Sequence, residues 1–98
     1  MDVFTALSDP KRRELIRSLA DGPATATQLS RRFPISRQAI SKHLAVLDEA
    51  GLVDRSSKGR EVRYSLRTER LADVSSWVTD VGKSWDRRLA RLKKSLDS

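Results

Sequence analysis

The chain has 98 residues, 20 Lys and Arg against 13 Asp and Glu, a formal net charge of +7, no cysteine and one histidine, His43. That composition excludes disulfides, thiolate metal sites, cysteine nucleophiles and histidine-rich metal sites, and no apolar run approaches the ~18–20 residues that cross a bilayer. The length fits one domain, 1–98, and so large a basic excess points to a polyanion: DNA, RNA or an anionic membrane face.

In chain order, residues 2–7 (DVFTAL) read as a short first helix with Val3, Phe4 and Leu7 on one side. Ser8 or Asp9 caps the next helix, with Pro10 in a favoured first-turn position. KRRELIRSLA then carries an apolar stripe of Leu15, Ile16 and Leu19, and Asp21-Gly22-Pro23 stops it. Thr25 and Gln28 have capping-box spacing at the start of a third helix. Its inward side holds Ala26, Leu29 and Ser30. Phe33-Pro34-Ile35 turns the chain, because a residue before proline leaves the helical region. Ser36 caps a fourth helix, 37–50, whose buried face is Ile40, Leu44 and Leu47. Gly51 stands where a left-handed C-terminal cap belongs.

The periodicity then changes. LVDRSS and EVRYSL carry the alternation and β-branched residues of strands, joined by the basic tip Ser57-Lys58-Gly59-Arg60, so a two-stranded hairpin is expected. From Thr68 the pattern is helical again: Leu71, Val74, Val78, Val81 and Trp85 at 3,4 spacing, then Leu89, Leu92 and Leu96 with a small phase shift. A helix of about 28 residues is about 42 Å long, too long for a body of residues 8–66 to cover. Trp85 continues this seam, and Trp77 sits off it, placed to cover the body or a partner's first helix. Gly82 weakens the helix by about 1 kcal/mol against alanine and is a candidate bend.

Charge placement sharpens the reading. No acidic residue lies between Asp21 and Asp48, a stretch that holds Arg31, Arg32, Arg37, Lys42 and His43. Two short helices joined by a tight turn present Ser36, Arg37, Gln38, Ser41 and Lys42 outward from the start of the second. A helix fits the major groove, and these side-chain types read base edges: Arg grips guanine and Gln adenine with two bonds each. Candidate phosphate contacts are Thr25, Arg31, Arg32 and His43, with Lys58, Arg60 and Arg63 on the hairpin, where each cation that meets phosphate adds salt-dependent affinity. A solvated basic face and a hairpin kept soluble by charge are the plainer alternatives. No nucleophile beside a histidine, phosphate-cradling glycine loop or paired carboxylates suggest an enzyme.

The segment AISKHLAVLDEAGLVDRSSKGREVRYSL resembles the ArsR-type winged helix repressors, in which S-x-H-L-x-x-L precedes A-G-L-V, a Gly-Arg wing and a Tyr-x-Leu strand. Here these are Ser41, His43, Leu44, Leu47, Ala50 to Val53, Gly59-Arg60 and Tyr64 to Leu66. The opening, with Asp9-Pro10-Lys11-Arg12-Arg13, is similar too, so the resemblance spans nearly the whole chain. It implies a mostly α fold with a small β-hairpin, a winged helix-turn-helix in the order α-α-α-α-β-β-α. It implies a homodimer built on helices 1–7 and 68–96, with Val3, Phe4, Leu7, Leu71, Val74, Val78, Val81, Trp85, Leu89 and Leu92 at the interface. It further implies a cytoplasmic, nucleoid-associated repressor of an imperfect palindromic operator in double-stranded DNA, often at its own promoter and relieved by an inducer, frequently a metal ion. The chain departs from the metal sensors. Their recognition-helix Cys-x-Cys pair is absent, and the last helix has Asp73, Asp80 and Asp86 but no histidine. Zinc and softer metals favour Cys and His, so neither a metal nor a cofactor is expected. A second class remains open: a winged-helix module whose basic face docks an acidic protein.

Overall fold

The computed structural model describes residues 1–97, so Ser98, the last residue of the expected 1–98 domain, lies outside the described residues. The order is α1 (Val3–Ala6), α2 (Pro10–Ala20), β1 (Ala24–Thr25), α3 (Ala26–Arg32), α4 (Arg37–Glu49), β2 (Val53–Lys58), β3 (Glu61–Leu66) and α5 (Glu69–Asp97).

Local chemistry starts and stops these elements. The Asp2 carboxylate caps α1, accepting from the Thr5 N–H at 2.9 Å. Asp9, not Ser8, caps α2, accepting from the N–H groups of Lys11 and Arg12 at 2.7 and 3.3 Å, with Pro10 in the first turn. The two arginines that follow are structural. Arg12 donates to the carbonyls of Ala6 and Thr5 at 2.6 and 3.3 Å, and Arg13 to that of Leu7 at 2.8 Å. The Ala6 and Leu7 carbonyls at the end of α1 are thereby satisfied, and the Asp-Pro-x-Arg-Arg sequence is a staple between the first two helices.

The Asp9 carboxyl is pushed up by burial but pulled down by the Lys11 and Arg12 N–H groups, then by the charges of His43 and Arg12, and ends below the ordinary 3.8. Asp2 is lowered chiefly by its bonds to the Thr5 N–H and hydroxyl. A carboxyl with a depressed folded-state pKa stabilises the fold above its unfolded value and loses that contribution as pH falls through the folded one. Stability is therefore expected to decline as pH drops below 3.8. Asp9→Asn, which keeps a cap but not the charge, is expected to flatten that decline in thermal melts taken across the acid range.

The capping box at α3 is complete: the Gln28 N–H donates to Thr25 Oγ1 at 3.1 Å, and the Thr25 N–H donates to Gln28 Oε1 at 2.9 Å. Phe33 is extended ahead of Pro34, and Ser36 caps α4 by accepting from the Ala39 N–H at 3.1 Å. At the other end of α4, Gly51 takes φ +77°. The Gly51 N–H reaches the Asp48 carbonyl at 3.0 Å and the Leu52 N–H reaches that of Leu47 at 2.9 Å, the bond pair of a Schellman stop.

The sheet departs from the expected two-stranded hairpin. β1 pairs antiparallel with β3 (Ala24 opposite Tyr64, Thr25 opposite Arg63), giving the order β1-β3-β2. β2 and β3 pair from Val53 opposite Leu66 to Lys58 opposite Glu61, and Gly59, at φ +63°, opens the two-residue turn, the position where a II′ hairpin turn takes glycine.

Leu15, Leu29, Ile40, Leu44, Leu47 and Leu52 are fully enclosed and join α2, α3, α4 and the sheet in one core. Each such side chain contributes about 1.5–3 kcal/mol by leaving water. Leu7, Leu71 and Val74 pack on the edge of this core and Val3 is buried within it. Four residues expected between copies are thus used, at least in part, inside the chain, because α1 and the start of α5 lie on the body. Trp77 covers the chain's own α1: its ring meets Phe4 edge-on, centroids 5.7 Å apart and planes at 68°.

From Ser75 to Leu96 the residues of α5 are exposed. The 29-residue helix runs on past the body and stretches the molecule to 69 × 25 × 24 Å. Among the described residues no helix is long and apolar enough to cross a membrane.

Candidate nucleic-acid interface

Ser36 holds the first turn of α4 in place, and Ile40, Leu44 and Leu47 fix the rotation of the helix by burying one face. The opposite face must then point outward. Arg37, Gln38, Ser41 and Lys42 are all exposed there and line one shallow depression. Arg37 and Ser41 also line a second, larger concavity of about 600 Å³ between α4, the start of α3 and the hairpin. Its other walls include Thr25, Thr27, Arg55, Arg60 and Tyr64. The hairpin therefore stands beside α4 as a wing, with a groove between the two.

The body's arginines fall into two groups. Arg12, Arg13, Arg17, Arg32, Arg63 and Arg67 each have an intramolecular partner. Among the described residues, the side chains of Arg31, Arg37, Arg55 and Arg60 have none, and the last three of these line the same concavity. Three unpaired guanidinium groups lining one concavity give it a positive potential that suits an anion.

Three of the expected phosphate contacts are engaged elsewhere. Arg32 Nη1 donates to Ser18 Oγ at 2.8 Å and ties α3 to α2. Arg63 forms a fork on Glu61, Nε–Oε2 and Nη2–Oε1 both at 3.3 Å. It is not among the residues that line the groove. His43 is half-buried and near enough to Asp9 for its charge to act on that carboxyl. A helix turns about 100° per residue, so His43 lies across α4 from Ser41, away from the basic face. Thr25 lines the groove, but its hydroxyl already accepts from Gln28. Lys58 and Arg60 stand exposed at the wing tip, and Arg31 is exposed on the last turn of α3.

Arg55 is the site residue that sequence reasoning missed. Its signal was parity: Val53 points inward, and two residues on, a strand side chain returns to the same face. Arg55 is directly opposite Tyr64, which also lines the groove.

A capped helix pair with a basic outer face, and a wing beside its second helix, is the arrangement of a winged helix-turn-helix DNA-binding protein. A family model described as "Helix-turn-helix domain" matches residues 7–56. The HTH-type transcriptional regulator Rv2034 of Mycobacterium tuberculosis is 40% identical over 96 residues, 97% of this chain and 86% of that protein. The transcriptional repressor SdpR of Bacillus subtilis is 39% identical over 77 residues, 79% of this chain and 86% of that one. A solved ArsR-like transcriptional regulator from Rhodococcus sp. RHA1 superposes with a TM-score of 0.78 at 42% identity, covering 94% of this chain and 87% of its own. The chain belongs to the ArsR-type helix-turn-helix transcriptional regulators. It is accordingly a DNA-binding regulator, in a family whose members are not enzymes.

Proposed function

We propose that two copies pair through α1 and the projecting part of α5, and that the dimer represses transcription by binding an imperfect palindrome, including one at its own promoter. The observation that carries the pairing is the exposed apolar stripe Phe4, Val78, Val81, Trp85, Leu89 and Leu92, with Leu96 continuing it. Large apolar side chains repeated along one helix and left in water mark an interface. Pairing places two α4 helices in successive major grooves about 34 Å apart. Ser36, Arg37, Gln38, Ser41 and Lys42 face the bases, while Arg31, Lys58 and Arg60 meet phosphates.

The inducer reading follows from donor chemistry. The sequence has no cysteine and one histidine, and that histidine is half-buried, off the exposed face of α4. We read the chain as a member that does not sense metal through thiolate or histidine ligands. The whole proposal is tested by footprinting the DNA that flanks the gene, with sedimentation of the same sample. A dimer that protects two half-sites one helical turn apart is expected. No protection at low salt would point to docking of an acidic protein instead.

A further inference from the structure

We propose that the groove between α4 and the wing seats one backbone phosphate of the duplex, and that Arg55 is the residue of β2 that grips it. This rests on the DNA-binding reading and adds a defined anion site to it. Three guanidinium groups from three separate segments converge there: Arg37 from α4, Arg55 from β2 and Arg60 from the turn. None has an ion-pair or hydrogen-bond partner among the described residues, whereas most arginines of the body do.

The groove also carries hydroxyls. Thr27 and Ser41 line it with Thr25, and neutral donors beside guanidinium forks suit a phosphodiester oxygen pair. One carboxylate, that of Glu61, is among the lining residues, and Arg63, which is not, holds it in a two-bond fork. The one group that would repel an anion is thus partly offset by a cation that does not line the groove. Arg63 thereby screens the site without entering it.

Arg55 is anchored better than a wing-tip residue. It lies mid-strand, opposite Tyr64, within an unbroken ladder that runs from Val53 to Lys58. Arg60 sits in the turn itself. A cation on a paired strand loses less freedom when it binds than one on a loop. Arg55 therefore holds a backbone phosphate at a smaller entropic cost than Arg60, through a contact that itself carries no base information.

The test uses the full-length protein with its footprinted operator and a scrambled duplex, titrated over a range of salt. Arg55→Gln is expected to weaken both duplexes by the same factor, about tenfold per copy. It should also reduce the slope of log Kobs against log salt by about 0.9 per copy, with an unchanged melting profile. Arg55→Lys should restore the slope. Arg67→Gln, whose cation already pairs with Asp54 and Glu69, should leave the slope at the wild-type value. If the wild type binds its operator and Arg55→Gln keeps the full slope, the phosphate seat is overturned while the DNA-binding reading stands. If Arg55→Gln changes the operator-to-scrambled ratio, Arg55 reads bases and the assignment is wrong. Absence of DNA binding by the wild type removes both.

Discussion

A Trp85→Glu variant is expected to sediment as a monomer and to bind the operator about 10²–10⁴-fold more weakly than the parent. Trp85 is 58% exposed and makes no packing contact with the body. An indole in this position presents much of its 150–250 Å² to water, and at about 25 cal/mol per Å² that is a standing penalty. In a two-fold interface each residue is used twice, so one substitution places two carboxylates in an apolar seam, where an ionised group is poorly tolerated. The operator loss is larger than any single contact explains, because it is the loss of the second half-site. Tethering two binding events raises affinity 10²–10⁴-fold through effective concentration alone. Since Trp85 plays no part in the chain's own core, the body's near-native melting would show that folding is intact. A variant that remained dimeric would move the pairing surface away from α5.

Arg37→Ala and Gln38→Ala are each expected to relax base preference by about 1–3 kcal/mol at the position read, with a smaller effect on scrambled duplex. Both side chains are exposed in the first turn of α4, the part of a recognition helix that reaches base edges. Arg60→Ala, in the wing turn, should weaken every sequence alike. Band-shift titrations against a panel of single-base operator variants separate these results. Unchanged discrimination in both α4 variants would remove them from the reading set. Arg37 also lines the phosphate groove, so its variant carries a backbone component that the Gln38 variant lacks, and the salt slope distinguishes the two.

The sequence reported most of this fold where short-range rules govern it. Asp9-Pro10, Thr25 with Gln28, Ser36 and Gly51 bracket the helices correctly because each acts within four residues of itself. Gly59 located the wing turn for the same reason. β1 escaped notice because two residues carry no alternation, and its partner strand lies some forty positions later. The candidate site was less legible. A run of basic residues does not disclose which cations are already paired. Arg32 bonds to Ser18, fourteen residues away, Arg63 is held by Glu61, and His43 is half-buried. Arg55 looked like a strand residue among polar neighbours until the ladder placed it opposite Tyr64.

Thr25 ends β1 and also caps α3. The same residue is thus bolted to the wing's central strand on one side and to the helix pair on the other. Wing and helix pair are thus joined at one residue, and together they form a caliper whose opening is set at that joint. A caliper accepts only ducts of the right breadth. A-form duplex has a deep, narrow major groove that side chains do not enter, so double-stranded RNA of the operator's own sequence should be refused on shape before any base is inspected.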